Sequence, residues 1–457
     1  MKISQYHKGK GDHVEFCRGM SADHRDKADW DRVYISTLFT YDWSKTVKTV
    51  KYYRYSVKDP RTENLIIGGV MATLMAEDIR AVTDCKVVEG LLDQNGKLGY
   101  DDEAMIDSIL PDYSILKEVD HQYATANAYI GYMTRGCSRK CQFCAVHQVE
   151  PLFKHYQSMA HHIEEVDRKY GQRKDLLLLD NNVLASRHFK RIVAEIKSMG
   201  FQRGAMFSYI SRSGQRIKAS RHVDFNQGLD ARLLTEERMA LLSEIAVHPL
   251  RIAFDNIAYR PLYEEKVRLA ARFGMRYLSN YILFNYDDRP EDLYERLRIN
   301  LDLNDELDLQ IFSFPMRYID LHSKNRLADT AGNLGKFWTK KQLRSIQCIL
   351  LATHGVVSPN RTFFEAAFGQ DIDEFNKLLL MPEDYIIHRR FHENDGSTDL
   401  WWSQLNSLTA SQNDELMGIV SQNSFAHPNT GGLSAAVIRV LEHYMPPRAL
   451  QLSMFGV

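Results

Sequence analysis

Short runs of five to eight strand-forming residues recur along this chain, and most of them close on polar residues before a helical pattern begins. Residues 175–180 (Asp-Leu-Leu-Leu-Leu-Asp) show the unit: an apolar run of strand length, then Asn181 and Asn182, then a helix-like segment over 186–199 that stops at Gly200. Residues 32–36, 64–69, 222–226, 250–255, 277–284 and 309–314 are further strand candidates, the first running on toward Phe39 and followed by a helical segment over 45–53. Strands that alternate with helices call for parallel sheets, so the fold class is α/β. The run 64–69 ends in Gly68 and Gly69, and glycines at a strand's carboxyl end let backbone approach a ligand closely, at the edge where open α/β sheets bind cofactors.

The run 131–144 (Gly-Tyr-Met-Thr-Arg-Gly-Cys-Ser-Arg-Lys-Cys-Gln-Phe-Cys) places Cys137, Cys141 and Cys144 in a C-x3-C-x2-C pattern. Three thiolates on one tight loop can hold three corners of a cubane iron–sulfur cluster, for which four cysteines are the usual ligand set. No fourth cysteine lies nearby. The alternative is structural zinc with His147 as fourth ligand, but zinc sites need a closed tetrahedron and usually build from two separated pairs. Crowding three cysteines into eight residues favours the cluster. Cys17, Cys85 and Cys348 are far apart in sequence and do not form a disulfide framework.

At about 150 residues per domain, 457 residues make two or three domains with ample core. A composition 44% hydrophobic and 26% charged, with net charge −1, suits a large soluble enzyme and gives no whole-protein electrostatic footprint for nucleic acid. No apolar run approaches the roughly 18 residues of a membrane span, and the first residues lack the apolar segment of a signal peptide. The expected location is cytoplasmic, where an oxygen-sensitive cluster survives, with no membrane partner.

The cysteine spacing, with the aromatic Phe143 before the last cysteine, resembles the motif of the radical SAM superfamily. The resemblance implies a 4Fe-4S cluster held by Cys137, Cys141 and Cys144, with the vacant iron chelating the amino and carboxylate groups of S-adenosyl-L-methionine. Reductive cleavage would then give methionine and a 5′-deoxyadenosyl radical that takes hydrogen from an unreactive carbon. Phe143 would pack on the adenine, and a donor such as flavodoxin or ferredoxin would supply the electron. The implied architecture is a cobalamin-binding-type Rossmann-like domain over 1–122, a partial β/α barrel over 123–320, and a mainly helical region over 321–457.

In β/α barrels the chemistry sits at the carboxyl ends of the strands. Asp180, Asn181 and Asn182 fall where the superfamily contacts the methionine end of its cofactor, and Asn226, Gln227, Asp230 and Arg232 where relatives hold ribose or carboxylate. Asp255 and Asn285 end two later strands. Asn285 also opens a run resembling a turn before a helix at which relatives carry glycine. For each of these residues the alternative is a helix cap, since Asp and Asn are preferred there.

Cobalamin is a second cofactor implied by the N-terminal resemblance. Domains that ligate cobalt from below carry D-x-H-x-x-G, and none of His7, His13 or His24 has an aspartate two residues before it. A cobalamin-dependent radical SAM methyltransferase and a non-catalytic zinc-binding scaffold are the alternatives. A methylthiotransferase would need a second cluster, commonly from three N-terminal cysteines, and only Cys17 and Cys85 stand there.

Two regions bear on the substrate. Residues 196–222 contain Lys197, Arg203, Arg212, Arg216, Lys218 and Arg221 without an acid, interleaved with Phe201, Phe207 and Tyr209. Cations track phosphates and aromatic faces stack bases, so this is a candidate nucleic-acid surface; a solvated basic loop is the alternative. Residues 403–430 are rich in Ser, Asn, Gln and Thr and read as a poorly ordered loop, ahead of a helical pattern over 433–444. Pro446 and Pro447 then stop the helix and leave an extended tail. Its Gln-Leu-Ser-Met-Phe looks like the motif by which bacterial DNA-processing proteins bind the replicative sliding clamp, through Gln451, Leu452, Met454 and Phe455. Docking on the protein's own surface is the alternative. The two regions together point to a DNA- or nucleotide-related substrate.

Overall fold

The computed structural model describes residues 1–26, 29–99, 104–211, 213–320, 333–425 and 432–445. The chain divides into two compact units, one of Met1–Arg251 with Phe273–Met275 and the other of Ile252–Arg272 with Arg276–Val457. Both are mixed α/β or helical assemblies around small sheets, in agreement with the expected class at that level. Among the described residues no helix is long and apolar enough to cross a membrane.

The first unit opens with a parallel sheet in the order β1 (Val33–Thr37), β2 (Leu65–Gly69), β3 (Lys86–Val88). Val33 pairs with Leu65 and Thr37 with Gly69, while Ile66 pairs with Lys86. The alternation of β2 sets its two faces. Leu65 and Ile67 enter one core with Val50, Tyr53, Met71 and Ile79, and Ile66 enters another with Tyr6, Val88, Leu98 and Ile106. Burial on both sides is why this strand reads as a continuous apolar run. At its end, Gly69 has φ +105, and a Cβ there would stand 2.1 Å from the Thr37 carbonyl oxygen. The Thr37 hydroxyl donates to Gly68 O at 2.9 Å and accepts from Ala72 N at 3.0 Å. Gly69 thus serves close packing of β2 against β1, while a Cβ on Gly68 would meet Val88 of β3 at an ordinary 3.5 Å.

A second parallel sheet in the same unit runs β4 (Ala128–Gly131), β5 (Asp175–Leu178) and, beyond β6 (Met206–Ile210) and β7 (Arg216–Ser220), β8 (Val223–Phe225). Gly131 pairs with Leu178 and Leu178 with Phe225, which brings three carboxyl ends to one edge. Helix Phe189–Ser198 follows β5 and buries Phe189, Ile192, Val193 and Ile196. The expected strand over 250–255 shrinks to the two residues of β9 (Leu250–Arg251). Strands β6 and β7 pair with each other as an antiparallel hairpin inside the basic run.

In the second unit, β10 (Tyr277–Phe284) and β11 (Gln310–Arg317) are parallel and joined by helix Pro290–Leu307. One core runs from Ile282 and Phe284 through Leu293, Leu297 and Leu301 to Trp338, Phe364, Trp401, Leu416 and Val440. This core continues across residue 320: the last two strands share it with the C-terminal helices. The first helix bonds both to Asp112 and, across residue 122, to the segment after β4. Ser4 donates to Asp112 at 2.7 Å, and Lys169 reaches Gln5 at 2.6 Å.

The expected polar loop over 403–430 is also corrected. Helices Ser397–Asn406 and Ala410–Val420 occupy most of it, and helix Ala435–Glu442 matches the pattern read over 433–444. The clamp-like residues Gln451, Leu452, Met454 and Phe455 lie outside the described residues, as does Arg212.

Candidate metal centre

The cysteine loop leaves β4 at Gly131 and is tied down along its first arm. Arg135 and Lys154 exchange backbone hydrogen bonds of 3.2 and 2.9 Å, and Gln157 N donates to Met133 O at 2.8 Å. Gly136 then turns with φ +70, where a Cβ would lie 2.5 Å from Leu152 O and 2.9 Å from Glu150 O, so only glycine fits. Its N–H donates to the Glu150 carboxylate at 2.7 Å. Past that turn, Cys137, Cys141 and Cys144 are half-buried, and Cys144 N donates to Cys141 O at 3.1 Å.

The residues after β5 converge on this loop. Asp180 is buried, and its carboxylate accepts from Met133 N at 3.1 Å, from Thr134 N, and from the Thr134 hydroxyl at 2.6 Å. Burial pushes the Asp180 carboxyl up to about 6, with the Thr134 and Met133 donors pulling the other way. Asn181 donates to Glu150 at 3.0 Å, and Asn182 donates through Nδ2 to Cys137 Sγ at 3.5 Å. Arg139 N reaches the same sulfur at 3.4 Å. The Oδ1 atom of Asn182 is buried with no hydrogen-bond partner.

From the β8 side, Asp230 takes the Arg139 guanidinium at 2.6 Å and that of Arg232 at 2.7 Å. Burial alone would raise the Asp230 carboxyl, but these two cations hold it below the ordinary carboxylate range. Asp230 also accepts from Arg232 N and so caps the turn Ala231–Leu233, which makes it both cap and loop anchor. Asn226 and Gln227 follow β8 at the same edge, with Gln227 Nε2 donating to Asn226 Oδ1 at 3.3 Å. Phe143 sits half-buried between the second and third cysteines.

Asp255 and Asn285 belong to the second unit. Buried Arg296 donates to the Asp255 carbonyl at 2.9 Å, to Leu283 O at 2.8 Å and to the Asp288 carboxylate at 2.9 Å. Asn285 has φ +66, the left-handed region that favours glycine and that asparagine tolerates. Its amide donates to Tyr318 O at 3.0 Å and Asn333 O at 2.9 Å and accepts from Gly335 N at 2.7 Å. That commitment to three backbone partners gives Asn285 a structural task in its turn.

Sequence reading missed Glu150, which is buried and holds Gly136, Asn181 and, at 3.2 Å, Arg135. Its signal was an acid set in the apolar run 149–153, where an unpaired charge is costly.

The donor set on this loop is three thiols, joined by an N–H that faces Cys137 and a buried orphan acceptor beside it. Among the described residues no group of three or more His, Cys, Asp or Glu side chains is drawn together as a metal-holding set. The loop thus offers the donor chemistry and the anchoring that a thiolate-bound group needs, but its three sulfurs are not gathered into one set. Searches against protein-family models and against curated proteins return no match to this chain.

Proposed function

We propose that this chain is a radical SAM enzyme whose cysteine loop holds a 4Fe-4S cluster through Cys137, Cys141 and Cys144. The observation that carries the proposal is the convergence of Asp180, Asn182 and Asp230 on that loop from the ends of β5 and β8, with Glu150 tying the loop from its own far side. A bound cluster supplies the single electron for cleaving S-adenosylmethionine to methionine and a 5′-deoxyadenosyl radical. The chain's own residues hold the loop and dispose its donors. Asp180 and Glu150 fix the arm ahead of Cys137, and Asp230 fixes Arg139 between the first two cysteines. Asn182 and Arg139 N direct N–H groups at the Cys137 sulfur, the kind of outer contact that tunes thiolate-bound iron. The orphaned Oδ1 of Asn182 suits the ammonium of the methionine end, since a buried unsatisfied acceptor costs roughly 1–3 kcal/mol.

In this reading β4, β5 and β8 begin a partial β/α barrel, and the N-terminal sheet is a Rossmann-like domain for substrate or cobalamin. A flavodoxin- or ferredoxin-like donor supplies the electron. The second reading, a zinc-binding scaffold closed by His147, is favoured by one observation: His147 Nδ1 is buried without a hydrogen-bond partner three residues past Cys144.

Anaerobic reconstitution separates these readings. The first expects a brown protein with about four irons per chain, as one cubane requires. It also expects 5′-deoxyadenosine formation on reduction with S-adenosylmethionine, and loss of both iron and product in Cys141→Ala. Stoichiometric zinc with no iron after careful anaerobic preparation would sink it in favour of the scaffold. Cobalt content of the same preparation, after incubation with cobalamin, distinguishes the cobalamin-dependent methyltransferase.

A further inference from the structure

Within the acid-free run 196–222, half of the cations are already used by the chain. Lys197 pairs with Glu244 at 2.6 Å, and Arg203 donates to Phe273 O at 3.3 Å. Arg221 lies over the Phe201 ring at 4.1 Å and donates to Lys174 O and Arg173 O. Phe201 itself is wholly buried. What remains is the hairpin β6–β7, whose residues are mostly exposed.

The hairpin register sorts the rest. Tyr209 pairs with Ile217 and Phe207 with Ala219, so these four share one face; Ser208 pairs with Lys218 and Ile210 with Arg216 on the other. The rings of Phe207 and Tyr209 stand parallel along the strand, 6.0 Å apart at 22°. Tyr209 is 42% exposed and Ile217 37%, while Arg216 and Lys218 occupy exposed positions on β7. An isolated two-stranded ribbon has little packing of its own, and large apolar side chains left in water on one mark a binding surface.

We propose that the β6–β7 hairpin is a platform for single-stranded nucleic acid, with bases stacked on Tyr209 and Phe207 of one face and the backbone passing along the edge of this narrow ribbon, where the long side chains of Arg216 and Lys218, which leave from the other face, meet its phosphates. Charge complementarity selects this occupant: the hairpin offers cations and no acid, and its aromatic face is flat and sequence-tolerant. The inference goes beyond the radical reading and does not rest on it, because binding is measured with no cluster chemistry.

The test is fluorescence anisotropy of the full chain with labelled 12-nucleotide oligo-dT, oligo-U and a duplex of equal length at about 50 mM salt, the DNA and RNA strands showing which backbone is preferred. The expected result is binding to single strands in preference to duplex, weakened at least fivefold by Tyr209→Ala and more by the pair Arg216→Glu and Lys218→Glu. Lys197→Ala, whose ammonium is bound to Glu244, should leave affinity unchanged. Circular dichroism and a melting curve confirm that each variant folds. Absence of binding, affinity indifferent to these variants, or equal affinity for duplex would overturn the proposal. So would a concentration-dependent dimer abolished by Ile217→Asp, which would assign the face to a second copy of this chain.

Discussion

Asp180 marks the point where a residue chosen from sequence acquires a different task in the fold. Its position after a strand suits ligand contact, yet its carboxylate faces Met133 and Thr134 at the root of the cysteine loop. Burial raises its carboxyl from 3.8 to about 6, so between those values the folded state binds more protons than the unfolded state. The sign follows: this residue's contribution to stability is fully present below about pH 4 and declines as pH rises through about 6, by roughly 3 kcal/mol. Asp180→Asn removes the titration and, with its amide nitrogen in the place of Oδ2, turns an N–H donor toward the Met133 N–H. The difference in unfolding free energy between wild type and Asp180→Asn should therefore fall from pH 4 to pH 7 in denaturant titrations; a flat difference would place the carboxylate in contact with water. Above pH 7 the ionised carboxylate keeps its three donors, and Asp180→Ala should lower iron retention after reconstitution through a loosened loop.

At the scale of elements, most strands were legible. The runs 64–69, 175–180, 222–226 and 277–284 stand as β2, β5, β8 and β10 within a residue or two at most ends, because buried parallel strands need continuous apolar residues. The edge that gathers Asp180, Asn182 and Asp230 beside the cysteines was legible too, as strand ends followed by polar residues. What was not legible was commitment: nothing in the residue types says that Asn285 would spend its amide on three backbone groups, or that Arg221 would lie on Phe201. Polar composition also hid two helices. Trp401 and Leu405, like Leu416 and Val420, are buried one turn apart, and Thr409 with Gln412 forms a capping box. The Thr-x-x-Gln signature was present but outweighed by the Ser, Asn and Gln around it. Leu416→Ala should cost about 2–5 kcal/mol by cavity formation and Thr409→Ala about 1 kcal/mol by loss of the cap. Both are read as shifts in denaturant midpoint at constant slope, and a Leu416→Ala cost under about 0.5 kcal/mol would undock this helix from its core.

For the whole molecule, a net charge of −1 means that any recruitment to nucleic acid would have to be local. Two local devices are on offer, the β6–β7 hairpin and the Gln451–Phe455 motif of the tail, and they differ in physics. Hairpin binding through Arg216 and Lys218 releases counterions, so the logarithm of its affinity should fall against the logarithm of salt with a slope of about −1.4 for two phosphates on a single strand. Tail docking would place Leu452 and Phe455 in apolar pockets on the sliding clamp, and it should be weak, because ordering an extended segment costs entropy, but far less sensitive to salt. Deleting residues 450–457 should therefore abolish clamp binding in a titration at 150 mM salt and leave both the oligonucleotide salt slope and 5′-deoxyadenosine formation on free substrate unchanged. Charge reversal at Arg216 and Lys218 should do the opposite, flattening the slope and sparing the clamp. An intact protein that ignores the clamp would remove the tail from the recruitment scheme and leave the proposed hairpin platform to account for any binding of nucleic acid.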